Sequence, residues 1–118
     1  MRKVKGRERR HKILRKRIKG TVQKPRLCVF RSGKNLYAQL IDDIKGHTLF
    51  SLSTNASGLK NRVNYGGSVK AATILAEEFA KKAKEKGFSK IVFDRAGYRY
   101  HGRIKAFAET TKKNGLFF

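Results

Sequence analysis

Acidic residues are scarce in this chain: 8 Asp and Glu stand against 30 Lys and Arg in 118 residues, a formal net charge of +22. Such a charge opposes compaction by self-repulsion, so a polyanionic partner is expected. Cysteine is nearly absent, with only Cys28. That excludes an internal disulfide framework and any zinc ribbon or finger, which needs several closely spaced ligands. Within Leu27-Cys28-Val29-Phe30, Cys28 reads as a small buried hydrophobe. No apolar run approaches the roughly 18 residues of a membrane-spanning helix. No apolar block follows the basic N-terminus, as a secretory signal requires, and residues 1–30 lack the serines of a transit peptide. A cytoplasmic protein is expected, with no membrane partner.

The charge is unevenly placed. Residues 1–26 carry 13 basic side chains and only Glu8, while the rest of the chain is more ordinary. This predicts a basic arm over residues 1–25 and a globular domain over 26–118. The arm has few apolar residues. Its middle, Arg7 to Lys19, contains good helix formers and no proline. Like charges at i,i+4 oppose a helix in water, so it is expected to fray when free and to become helical against phosphate. Gly20 would end that helix, and the chain's one proline, Pro25, marks the start of the domain.

The domain opens with three strand-like runs, Arg26–Arg31, Leu36–Asp42 and His47–Ser53. Ser32-Gly33-Lys34-Asn35 and Asp42-Asp43-Ile44-Lys45-Gly46 supply the turns. In the second run Leu36, Ala38 and Leu40 share one face, and Tyr37, Gln39 and Ile41 the other. One face is fully apolar, so helices should cover that side more completely. After the polar loop 53–67, Ser68 is a plausible N-cap for a helix to about Lys86, with Val69, Ala72, Ala76, Phe79, Ala80 and Ala83 facing the core. Gly87 suits its C-cap. Ile91–Phe93 is a short strand, parallel to its neighbour if the helix crosses over. A last helix runs from Arg103 to Asn114, burying Ile104, Phe107, Ala108 and Thr111. The order βββαβα implies a mixed sheet in an α/β domain.

Chemistry concentrates in the loop from Asp94 to Arg103. It follows the carboxyl end of a strand, where open α/β sheets bind ligands. Tyr98, Tyr100 and His101 alternate with Arg95, Arg99 and Arg103; rings and guanidinium planes stack on unpaired bases, and arginines bind phosphates. A solvated loop with its tyrosines packed on the sheet is the plainer reading, and one tyrosine could be buried while the other is exposed. The hairpin tip, Phe30 to Asn35 with Tyr37, mixes hydroxyl, amide and cation in a way that suits phosphate and ribose. The segment Asn64-Tyr65-Gly66-Gly67-Ser68 is similar but lacks a phosphate-loop pattern. A metal-dependent nuclease would draw on Asp42, Asp43, Asp94, Glu77, Glu78 and Glu109. These read instead as turn residues and ion-pair partners, and His11, His47 and His101 have no evident constellation. Neither catalysis nor a cofactor is expected.

Phe93-Asp94-Arg95-Ala96-Gly97-Tyr98-Arg99-Tyr100-His101-Gly102-Arg103-Ile104-Lys105-Ala106 resembles the C-terminal signature of the bacterial large-subunit ribosomal protein eighteen family. Arg26–Ser32, Tyr37–Asp43 and the ending Asn114-Gly115-Leu116-Phe117-Phe118 resemble it too, so the likeness covers essentially the whole chain. The resemblance implies a three-layer α/β fold of ribonuclease-H-like topology, without enzymatic activity. It implies binding of 5S ribosomal RNA and its attachment to 23S ribosomal RNA in the central protuberance, beside other 5S-binding proteins. The candidate RNA-binding residues are then Arg7, Arg9, Arg10, Lys12, Arg15, Lys16, Arg17 and Lys19 on the arm. On the domain they are Arg31, Ser32, Lys34, Asn35, Tyr37, Tyr98, Arg99, Tyr100, His101 and Arg103. The free chain is expected to be a monomer. A non-selective nucleic-acid-coating protein is the alternative.

Overall fold

Alternation of apolar and polar side chains builds a four-stranded sheet in the computed structural model, which describes residues 6–15, 19–56, 59 and 65–118. Strands β1 (Arg26–Arg31), β2 (Leu36–Asp42) and β3 (His47–Ser53) form an antiparallel meander. Strand β4 (Val92–Asp94) pairs with β1 in parallel, giving the order β3-β2-β1-β4. The first turn closes through Ser32 N–H to Asn35 O at 2.9 Å, and Asn35 N–H donates to Ser32 Oγ at 3.0 Å. Asp42 Oδ1 accepts the Ile44 and Lys45 N–H groups at 2.9 and 3.4 Å, so this carboxylate shapes the second turn.

Leu27, Val29, Leu36, Ala38 and Leu40 are completely buried on one face of the sheet. Helices α2 (Val69–Glu85) and α3 (Gly102–Lys113) cover that face. Ser68 caps α2, its Oγ accepting from Ala71 N–H at 3.0 Å. Ala72, Ala76, Phe79, Ala80 and Ala83 are buried as expected, and Leu75 joins them. Val69 is an exception: it stands in the helix's first turn and is 52% exposed. The inner face of α3 is the expected set, Ile104, Phe107, Ala108 and Thr111. Phe79 links the layers, stacked on Phe50 of β3 at 4.7 Å and edge-on to Phe107 at 6.0 Å.

Since α2 is the crossover, β4 runs parallel to β1, which meets the expectation of a mixed α/β sheet. The strand sits one residue later than expected. Ile91 N–H is taken instead by Phe117 O at 2.9 Å, as the C-terminal residues bridge to Lys90 along the outer edge of β4. The opposite face of the sheet carries Cys28, Phe30, Tyr37 and Gln39 and is far less covered. Beside it lies helix α1 (Gly6–Arg15). No helix among the described residues is long and apolar enough to cross a membrane.

Candidate nucleic-acid interface

A cluster of charges ties the arm to the sheet. Arg26 opens β1 and is only 8% exposed. Its Nε and Nη2 bond Asp43 at 3.0 and 3.1 Å, and its Nη1 bonds Asp94 Oδ2 at 2.5 Å. From α1, His11 Nε2 meets the same Asp94 oxygen at 3.1 Å, and Arg15 lies 3.5 Å from Asp43. Asp43 also accepts Gly20 N–H at 2.7 Å. Burial alone would raise the Asp94 carboxyl; the Ala96 N–H, His11 and Arg26 outweigh it and hold the group below the usual carboxylate range. Asp43 is likewise lowered, with burial opposed by Arg26, the Gly20 N–H and Arg15.

The loop after β4 is shaped by two residues in the left-handed region, Ala96 at φ 53° and Gly97 at φ 79°. Their carbonyls receive the arm: Arg7 Nη1 donates to Ala96 O at 2.9 Å, and Arg10 Nε donates to Gly97 O at 2.8 Å. A Cβ on Gly97 would stand 2.1 Å from Arg7 O, so glycine is needed for α1 to come this close. Like-charge repulsion predicts a frayed arm. Its inward cations meet carbonyls and carboxylates, and residues 6–15 are helical. The expected extension towards Lys19 crosses residues 16–18, so Lys16 and Arg17 lie outside the described residues.

Tyr98 is the inward one of the two loop tyrosines: it is 7% exposed, with the Arg7 and Arg31 guanidiniums 4.8 and 4.9 Å from the ring centre. The hydroxyl donates to Arg31 O at 3.1 Å and accepts from Arg31 N–H at 3.4 Å. In this arrangement Tyr98 fastens the loop to the end of β1 and offers no face for a base to stack on. Tyr100, two residues on, is 43% exposed, and Arg99 and His101 are exposed beside it. His101 occupies the N-cap position of α3 without a capping bond from its side chain.

Three loops meet at this end of the sheet. Arg103 Nη1 donates to Ser32 O at 3.0 Å, joining the start of α3 to the hairpin tip. Tyr65 OH donates to Gly33 O at 3.2 Å, and Thr54 Oγ1 donates to Asn35 Oδ1 at 2.9 Å. Gly66 and Gly67 approach so closely that a Cβ on either would fall within 2.5 Å of the tip's carbonyls at Lys34 and Gly33. Arg31, Ser32 and Lys34 are exposed on the tip, with Asn35 and Tyr37 half-buried. Arg7, Arg10, Arg31, Arg99, Tyr100 and His101 border a shallow cleft of about 700 Å³ with Tyr98 in its wall. On α1 and the segment after it, Arg9, Lys12 and Lys19 are exposed, whereas Arg7, Arg10 and Arg15 are half-buried against the domain.

The profile described as ribosomal L18 of archaea, bacteria, mitochondria and chloroplast matches residues 1–118. The chain belongs to the ribosomal protein L18 family. Among its relatives, the large ribosomal subunit protein uL18 of Pelotomaculum thermopropionicum is 53% identical over 112 residues, 95% of this chain and 92% of the relative. That of Thermotoga petrophila is 49% identical over 116 residues, 98% and 95% of the two chains. The large ribosomal subunit protein uL18c of Spinacia oleracea is 48% identical over 111 residues, covering 92% of this chain and 67% of the relative.

In this member of the L18 family, the aspartates that a nuclease would require are engaged elsewhere: Asp42 in a turn, Asp43 and Asp94 on Arg26. Sequence reasoning gave His11 no partner because Asp94 lies 83 positions away. It also left Gln39 out of the candidate set. The signal was present, since alternation puts Gln39 on the same open face as Tyr37.

Proposed function

We propose that this chain is a structural component of the large ribosomal subunit in the cytoplasm, where it binds 5S ribosomal RNA and helps join it to 23S ribosomal RNA beside other 5S-binding proteins. The observation that carries this reading is the convergence of three loops and the docked arm. Together they place Arg31, Lys34, Arg99, Tyr100 and His101 in the open at one end of the sheet, with Arg9 and Lys12 exposed on α1. A-form RNA hides its major groove, so selection rests on shape, ribose hydroxyls and unpaired bases. Loops locked to one another by Arg103, Thr54 and Tyr65 present such groups in fixed geometry. The arm of residues 1–25 adds affinity through phosphates, and the domain of residues 26–118 adds selectivity. No part of this role needs a catalytic group or cofactor.

Competition between 5S ribosomal RNA and an unrelated structured RNA of equal length, at about 150 mM salt, tests the reading. Preferential binding of 5S RNA is the expected result. Equal affinity for both, or for duplex DNA, would replace it with non-selective coating. With about six phosphates engaged, log K should fall against log salt with a slope of about −4 to −5.

A further inference from the structure

We propose that the groove between α1 and the uncovered face of the sheet receives one unpaired base of the bound RNA; this rests on the reading of the chain as an RNA binder. The groove encloses about 620 Å³. Its floor holds Phe30 and Tyr37, directly paired across β1 and β2, with ring centres 6.1 Å apart and a tilt of 42°. Phe30 is 46% exposed, on the face that strand alternation turns away from the packed core. Gln39 follows Tyr37 on the same face and is exposed, bringing an amide that both donates and accepts. Arg7 and His11 form the wall on the arm side.

The occupant follows from this mixture. Exposed aromatic rings on a sheet face are sequence-tolerant stacking platforms for bases. An exposed amide beside them matches the polar edge of a base. The groove reaches Ser32 of the hairpin tip, whose Arg31 and Lys34 are exposed, and no acidic side chain among the described residues lines it. A flat apolar body carried on an anionic backbone meets all three conditions, whereas an apolar protein side chain would leave Gln39 and the tip cations unmatched. Because α1 supplies one wall, the seat is complete only while the arm is docked. The groove therefore couples arm and domain in a single recognition event.

The test uses the full chain with 5S ribosomal RNA and the variants Phe30→Ala, Phe30→Leu and Gln39→Ala. Phe30→Ala should weaken binding by about 5- to 150-fold, the range for loss of one stacked base. The salt slope should stay at the wild-type value, because the ring carries no charge to a phosphate. Phe30→Leu, which keeps apolar bulk without a ring, should also weaken binding while preserving the wild-type melt. Gln39→Ala should weaken binding less than Phe30→Ala, since it removes the edge partner and leaves the stack. Irradiation of the complex with short-wave ultraviolet light should place a nucleotide adduct on the tryptic peptide of residues 27–31 or on Tyr37. Wild-type affinity in both Phe30 variants, or adducts confined to the arm and the 98–103 loop, would overturn the proposal. Loss of preference for 5S RNA in the wild-type chain would count against the functional reading alone, since the Phe30 comparison can be made on any RNA that binds.

Discussion

Replacing Arg26 by Met should be among the most damaging single changes to this fold. Arg26 makes three hydrogen bonds to two carboxylates and is only 8% exposed. Without it, Asp94 keeps the Ala96 N–H and His11 but remains fully buried. Removing one member of a buried ion pair costs about 3–5 kcal/mol, mostly for the uncompensated charge left behind. In a chain of this size that corresponds to a melting temperature lower by about 12–20 °C. Changing Asp94 to Asn as well should recover part of the loss, because the stranded charge is then gone. The pH dependence supplies a second readout. In the wild type, Asp43 and Asp94 are lowered from 3.8. Their contribution is complete above that value and is lost as pH falls through the folded one. In Arg26→Met one of the partners that hold the Asp94 carboxyl down is gone, so the loss of stability on acidification should be smaller than in the wild type. Melts followed by circular dichroism at several pH values measure both effects. A loss under about 1 kcal/mol, with the wild-type pH dependence, would refute the reasoning.

Gly97→Ala places a Cβ 2.1 Å from Arg7 O at a left-handed position, so it should undock the arm. Faster tryptic cleavage within residues 6–15, with the melt of the domain retained, is the expected outcome; an unchanged digest would deny that the arm is held there. Tyr98→Phe removes both bonds between the hydroxyl and Arg31, and urea titration should show a loss of about 1–3 kcal/mol. Burial, with Asp94 nearby, pushes the Cys28 thiol from 9.0 up to about 11. At mildly alkaline pH its alkylation by iodoacetamide should be about 100-fold slower in the folded chain than in urea, because the thiolate is the reacting species; comparable rates would show the thiol to be accessible and unperturbed.

The strands and α3 were legible because burial repeats with the period of each element. Leu36, Ala38 and Leu40 alternate with Tyr37 and Gln39, and Ile104, Phe107, Ala108 and Thr111 recur on one helical face. That regularity fails where the chain leaves it. Tyr98 and Tyr100 look equivalent in sequence, and only the left-handed pair Ala96–Gly97 turns the first inward and leaves the second exposed. The register of β4 depends on Phe117 O taking the Ile91 N–H, a bond between residues far apart in the chain. Arm docking was illegible for a similar reason. It needs Asp43 and Asp94 to be close together beside Arg26, and that proximity exists only once β4 lies against β1.

Docking divides the arm's charges into two classes. Arg7, His11 and Arg15 recur at i+4 and, with Arg10, face the domain, where carbonyls and carboxylates already satisfy them. Arg9 and Lys12 face away. Among the described residues the exposed cations include Arg9, Lys12 and Lys19 with Arg31, Lys34 and Arg99. This set can supply the phosphate neutralisation behind a salt slope of about −4 to −5. Arg9→Ala should weaken binding to all RNAs alike and make the slope shallower by about one unit, the change expected when one fewer phosphate is neutralised. Arg7→Ala should leave the slope nearly unchanged, because its guanidinium is spent on Ala96 O and the Tyr98 ring. Its removal should appear instead as a looser arm and reduced preference for 5S RNA. If both variants shift the slope equally, the inward cations leave the domain when RNA binds, and the docked arm is a state of the free chain only.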